Sequence, residues 1–259
     1  MSRKFKNIRI FLLLSVLLFV SIETWLAKSR STDWQQPLWL IVYPINGDGS
    51  AVTSNYIERL NESRFDSIEK FFVREADKFG VEVDDPVTVE LAPEVDELPP
   101  QPPANGNVLS VIFWSLKMRY WAYSHDTFDG PRPDVKMFVI YHDPAKKSRL
   151  HHSLGLQKGM LGVVNAFASR RMTATNNVII AHEFLHTVGA SDKYDIESNQ
   201  PMHPIGIAEP ERVPLYPQNK AEVMGGRIAL SATQSSIPSS LNQVVVGKTT
   251  ALEIQWLNE

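Results

Sequence analysis

The chain has 259 residues, with 26 Lys+Arg against 29 Asp+Glu, seven His and no Cys. That length suits one domain with a real hydrophobic core, and 43% hydrophobic with 21% charged residues excludes a disordered, collagen-like or long coiled-coil protein. Zero Cys excludes a disulfide scaffold, a thiol nucleophile and a thiolate-held metal, and the formal charge of −3 gives no reason to expect a nucleic-acid partner.

Residues 1–9 hold Arg3, Lys4, Lys6 and Arg9 with no acid, and Ile10 to Ile22 is apolar apart from Ser15 and Ser21. A basic flank before a short apolar run is the pattern of a signal peptide or a signal anchor. The run is shorter than the roughly 20 residues of a spanning helix, but Trp25, Leu26 and Ala27 extend it past Glu23 and Thr24. The triplet Ala27-Lys28-Ser29 suits cleavage poorly because of its Lys. Residues 1–30 are therefore read as an anchor in the membrane, with a cleaved signal peptide as the alternative. Residues 31–259 are then expected in the cell envelope, facing the periplasm or exterior, or secreted. They carry 20 basic and 28 acidic residues, a net of −8.

Residues 28–36 read as a polar linker. Leu38 to Ile45 is an apolar run of strand length, closed by the turn signal Asn46-Gly47-Asp48-Gly49. Phe65, Ile68, Phe72, Ala76 and Phe79 recur at helical spacing, and Gly80 is a natural stop. Val87 to Leu91 predicts a short strand, and the five prolines between 92 and 106 an extended loop. Asn107 to Ser124 reads as a helix that is apolar nearly all round, which predicts burial, with a membrane-surface or cofactor role as the alternative. Val135 to Tyr141 predicts a buried strand. His152–Gln157 and Met160–Ala168, about Lys158-Gly159, predict a hairpin. Thr173 to Val188 is helical, with Thr173, Thr175 and Asn176 offering N-cap oxygens. After Gly189 the chain is loop-rich, and a last strand or helix carries Leu252, Ile254, Trp256 and Leu257. The order β-α-β-α-β-β-β-α predicts an α/β (α+β) fold. Its N-terminal part spans about 37–188 and its irregular C-terminal part about 189–259.

The chemistry lies in Ala181-His182-Glu183-Phe184-Leu185-His186-Thr187-Val188-Gly189-Ala190-Ser191-Asp192. Two His four apart on a helix stand one turn above the other, so both imidazoles can reach one zinc ion. Glu183, one step round the helix, sits beside that ion and is placed as a general base. Ile180, Ala181, Phe184, Leu185 and Val188 occupy the opposite face, which predicts one core side and one chemical side. Gly189 can reverse the chain and return Asp192 as third ligand, leaving the fourth zinc position for water.

The pattern HExxHxxGxxD resembles the metzincin zinc-protease signature in its Asp variant, as in snapalysin-like proteases. The stretch from His182 through Tyr194 to Asp195 is also similar to immune-inhibitor-A-like metalloproteases. The resemblance is specific over about 14 residues. It implies a twisted mixed sheet with an active-site helix above a small irregular C-terminal subdomain. It also implies a Met-turn supporting the zinc, for which Met224 is the candidate and Met202 the competitor. Gly226 stands where some metzincins carry an extra Tyr ligand, so that Tyr is absent. An edge strand from the hairpin would pair with extended substrate, which makes a peptide or protein the expected partner.

Glu209 and Asp195 remain rival third ligands. Tyr194 and Tyr216 are secondary candidates for oxyanion stabilisation. His151 and His152, adjacent on a strand, would face opposite sides and read as solvated. The expected activity is zinc-dependent peptide-bond hydrolysis. The alternatives are a zinc-binding envelope module without turnover and a zinc amidohydrolase acting on cell-wall peptides.

Overall fold

The computed structural model describes residues 33–258 except 104, 105, 148, 151, 152 and 158, together with 7–11, 14, 15 and 18. Those few N-terminal positions are helical, and the rest of the anchor expected over 1–30 lies outside the described residues. Among the described residues no helix is long and apolar enough to cross a membrane.

Strand β1 (Leu38–Asn46) leads through α1 (Ala51–Ile57) and α2 (Asp66–Asp77) to β2 (Val87–Leu91). Helix α3 (Val108–Ser124) then crosses to β3 (Val135–His142), and β4 (Leu154–Leu156) and β5 (Leu161–Phe167) form a hairpin before α4 (Thr173–Thr187). The five strands make one mixed sheet in the order β2-β1-β3-β5-β4, parallel except for the antiparallel edge strand β4. The fold is thus α/β with a central mixed sheet.

The near-continuous apolar character of β1 follows from cover on both faces. Leu40 and Val42 face a core shared with Ile68 and Phe72 of α2 and Ile180 and Phe184 of α4. Ile41, Tyr43 and Ile45 face a second core with Met118 and Trp121 of α3. The Phe72 and Phe184 rings meet edge-on at 5.0 Å, which joins α2 to α4. Gly80, at φ +70°, ends the α2 segment as expected.

Three readings are corrected. The turn at Asn46–Gly49 runs into α1, whose start is capped by Ser50 Oγ accepting from Thr53 N at 3.2 Å. That helix is only seven residues long and buries only Thr53 and Ile57, so it carries no amphipathic period to read. Helix α3 is not a buried helix. Only Met118, Trp121 and Ala122 are buried, while Val108, Leu109, Phe113, Tyr120 and Tyr123 are each 69–79% exposed. It contacts the sheet on one side, and an all-round apolar sequence cannot tell one packed face from two. The residues 33–36 are no free linker either. Trp34 is buried, its Nε1 donates to the Ile254 carbonyl at 2.6 Å, and its ring meets Trp256 edge-on at 5.4 Å.

The hairpin strands are shorter than expected, and His151, His152 and Lys158 lie outside the described residues. Beyond α4 come two-residue strands, β6 (Ala221–Glu222) with β9 (Val244–Val245) and β7 (Ile228–Ala229) with β8 (Ser235–Ser236), then α5 (Lys248–Glu253). Val223, Met224, Val244, Ala251, Ile254 and Trp256 join the same core as β1 and α4. The C-terminal part is therefore packed onto the sheet layer.

Trp34 tests this packing. Trp34→Ala is expected to cost about 3–5 kcal/mol, a fall in Tm on the order of 10 °C for a domain of this size. Thermal unfolding followed by circular dichroism checks it, and a linker residue would leave Tm unchanged.

Candidate metal centre

Helix α4 buries Ile180, Ala181, Phe184 and Leu185 completely against the sheet, which turns His182 and His186 to the opposite side. Its start differs from expectation. It grows from a 3₁₀ turn at Arg170–Met172 with no side-chain cap. Asn176 instead bonds Phe167, accepting from its N at 3.2 Å and donating to its O at 2.9 Å, which ties the helix to β5.

Three atoms converge. His182 Nε2 and His186 Nε2 are 3.2 Å apart, and Asp192 Oδ1 is 3.2 Å from each. The outer nitrogens are held separately, with His182 Nδ1 2.8 Å from the Val223 carbonyl and His186 Nδ1 2.8 Å from the Ala190 carbonyl. A carbonyl can only accept, so each Nδ1 carries a proton, and each Nε2 is the nitrogen that would turn its lone pair to a metal once any proton on it is displaced. Asp192 arrives through a reversal at Gly189, φ +113°, where Ala190 N donates back to the Leu185 carbonyl at 3.0 Å. The backbone angle is what calls for glycine here, since the nearest atom to a Cβ at this position, Gln157 Nε2 at 2.9 Å, ends a flexible side chain that can move aside.

The charges are strongly coupled. Burial opposes protonation of His182, but the Asp192 hydrogen bond, the Glu183 charge and the Val223 carbonyl outweigh it and raise its pKa to about 8. Burial likewise opposes ionised Asp192, yet the two imidazoles hold its carboxyl well below the usual range. Glu183, 6% exposed, is raised by burial, with His182 and His186 partly offsetting the effect. Its carboxylate stays outside the three-atom cluster and receives the backbone N–H of Gly155 on β4.

The other expected residues divide. The Tyr194 ring lies 6.5 Å from that of His182, and its pKa is raised by burial and then by the negative charges of Asp192 and Glu183. Among the described residues Tyr216 makes no hydrogen bond or ring contact to the cluster. It sits in an irregular stretch immediately before Pro217. Glu209 pairs with Arg212 at 3.1 Å, and Asp195 caps its own turn by accepting from Ser198 N at 2.8 Å and Ser198 Oγ at 2.6 Å. Neither carboxylate joins the histidines.

Met224 is fully buried in the tight turn Glu222–Gly226, closed by Gly226 N donating to Glu222 O at 3.0 Å. Met202, the competitor, is 39% exposed. Sequence reasoning did not single out Glu222, which organises this turn. Its buried Oε2 accepts from Met224 N at 2.7 Å and Gly225 N at 2.8 Å, and its Oε1 from Thr250 Oγ1 at 2.7 Å and Gly247 N at 3.0 Å. Gly155 was missed as well. A Cβ there would stand 2.5 Å from both the Glu183 carbonyl and His186 Cβ. A glycine inside a short strand is the available signal for such a close approach.

A cavity of about 380 Å³ opens beside His182, with Val178, Ile179, Tyr194, Val223 and Ile237 among its lining. A second concavity, lined by Tyr56, Arg59, Arg64 and Arg170, includes none of the cluster residues. Compared with protein-family models and with curated protein sequences, the chain matches none.

Two substitutions test the supports. Gly155→Ala is expected to push β4 off α4 and cost about 2 kcal/mol or more through overpacking. Glu222→Ala, which leaves three backbone N–H groups and a hydroxyl without their acceptor, is expected to cost about 3–5 kcal/mol. Denaturant unfolding of both variants gives the check, and an unchanged midpoint in either removes that residue from the support.

Proposed function

We propose that this chain is a metzincin-like zinc peptidase of the cell envelope, held at the membrane through its N-terminal segment. The observation that carries the reading is the equilateral 3.2 Å arrangement of two imidazole nitrogens and one carboxylate oxygen. Ligands at about 2.0–2.1 Å from a tetrahedral zinc stand about 3.3 Å from one another, so the donor set fits the ion in kind and in spacing. Two carbonyls on the far nitrogens add the outer contacts that such ligands need. The mixed sheet, the helix bearing both His, the irregular stretch after Gly189 and the buried Met224 turn are in keeping with the metzincin resemblance.

A zinc ion held by His182, His186 and Asp192 would supply Lewis-acid polarisation of a carbonyl and of a water molecule. The remaining work belongs to the chain. Glu183 is buried beside the cluster with its pKa raised. That position suits it to take a proton from the attacking water and pass it to the leaving amine. Its Gly155 hydrogen bond aims the carboxylate. Tyr194, on the cavity side, can donate to the oxygen that gains charge. The antiparallel edge strand β4 offers backbone groups to an extended peptide, and the cavity beside His182 accepts an apolar side chain.

Glu183→Gln is expected to retain stoichiometric zinc and lose peptide cleavage by about 10²–10⁴-fold. Zinc retention with equal, absent cleavage of a peptide library by both forms would instead mark a binding module without turnover. Asp192→Ala is expected to strip the metal, whereas Glu209→Ala and Asp195→Ala leave it bound, as read by elemental analysis.

Acid should weaken metal binding in a specific window. Without metal, His182 keeps its proton up to about pH 8, and the metal must displace it. Zinc affinity therefore rises with pH until about 8 and then levels, and binding at pH 7 releases a proton. Calorimetry in two buffers of different ionisation enthalpy measures that release, and identical heats would contradict it.

A further inference from the structure

Helix α3 exposes a run of large apolar side chains that the proposed site does not use. At about 100° per residue, Val108, Leu109, Ile112, Phe113, Leu116 and Tyr120 fall within one arc of about 140°. They are 74%, 69%, 50%, 74%, 55% and 73% exposed. Met118, Trp121 and Ala122, on the other side, pack on Ile41, Tyr43, Phe138 and Ile140 of the sheet. Six large apolar or aromatic side chains on one helix face form a patch of the kind that soluble domains leave to a binding partner.

Charge narrows the partner. Between Leu98 and Ser124 the only charged residues are Lys117 and Arg119, both cationic, in a domain whose residues 31–259 carry a net of −8. An apolar face with an aromatic at its edge and no acid matches an anionic lipid interface. The chain also bounds the distance. Trp34 is fixed in the core, and Ile22 ends the apolar run twelve residues earlier. Twelve residues reach about 40 Å at most, close to the roughly 45 Å diameter of a domain this size. If residues 10–22 sit in a bilayer, the Trp34 end of the domain is held within about 40 Å of that surface.

We propose that the exposed face of α3 docks in the interfacial zone of the bilayer that holds residues 10–22. This rests on the membrane reading of the N-terminal segment and is independent of peptidase activity. It also orients the molecule. Helix α3 covers one face of the sheet and α4 the other, so docking through α3 turns the His182–His186–Asp192 cluster away from the lipid. Substrates would then be soluble polypeptides of the aqueous compartment.

The absence of native Cys makes the test direct. Phe113→Cys, Phe11→Cys and Val213→Cys are made singly in the whole 259-residue chain, each labelled with a polarity-sensitive fluorophore. The proteins are reconstituted into phosphatidylethanolamine–phosphatidylglycerol vesicles. Val213, 93% exposed and far from α3 in sequence, is the aqueous control. The expected result is a blue shift and quenching by doxyl-labelled lipid at positions 11 and 113, with neither at 213. Lipid quenching at 11 alone overturns the docking and leaves the anchor standing. Quenching at neither position overturns both. A blue shift at 113 that grows with protein concentration but ignores doxyl lipid assigns the face to a second copy and overturns the proposal. One that persists in detergent at high dilution assigns it to the N-terminal segment folded back, and also overturns it.

Discussion

Asp192 reaches the histidines only because the chain reverses at Gly189, and much of the C-terminal third serves to hold that reversal. The turn does two things at once. It carries the carboxylate to 3.2 Å from both Nε2 atoms, and it places the Ala190 carbonyl on His186 Nδ1. The next residues are tied down. Ser191 N and Oγ donate to Glu253 at 3.0 and 2.5 Å. The buried Lys193 donates to the same carboxylate at 2.6 Å, while its backbone N donates to the Met224 carbonyl at 2.9 Å. Asp192, on a loop, is thereby held by α5 on one side and by the Met224 turn on the other. If the cluster takes up a metal as proposed, a carboxylate held in advance would lower the ordering cost of binding it.

The same turn fixes the other histidine. Its Val223 carbonyl meets His182 Nδ1, and the buried Glu222 carboxylate gathers the backbone N–H groups beside it. Burying a carboxylate is costly unless its oxygens are satisfied, and four hydrogen bonds satisfy this one. Glu222 also reaches Gly247 and Thr250 at the start of α5. One acid thus couples the floor of the site to the segment that anchors Asp192. The two histidines, one helical turn apart, are aimed by carbonyls from different parts of the chain.

How much of this the sequence discloses depends on range. The His182–Glu183–His186 spacing is a property of one helix, and the helix period alone places it. Gly189 and Asp192 are legible for the same reason, since the reversal is local. Glu222 and Gly155 are not, because Glu222 also takes partners 25 and 28 residues on, beyond its two neighbours in the turn, Gly155 meets residues 28 and 31 away, and no local period marks either. The strands of the sheet are readable from apolar runs, and α3 from its aromatic richness. Its exposure is not readable, because hydrophobicity reports what a side chain prefers and only the tertiary structure says whether a second layer covers it. Trp34 shows the converse, a lone aromatic in a polar stretch that the fold draws into the core.

The acidic domain and its basic leader now have a physical relation to the site. Were residues 10–22 to sit in a bilayer as proposed, a net of −8 over residues 31–259 would keep most of the surface away from anionic lipid, and the His182–His186–Asp192 cluster, on the helix that covers the sheet face opposite α3, would look away from it. X-ray absorption at the zinc edge of the native protein reads the proposed metal centre itself. A first shell of two imidazole nitrogens with oxygen completing it at about 2.0–2.1 Å is expected. A zinc shell without imidazole scattering, or one unchanged by His186→Ala, would contradict it.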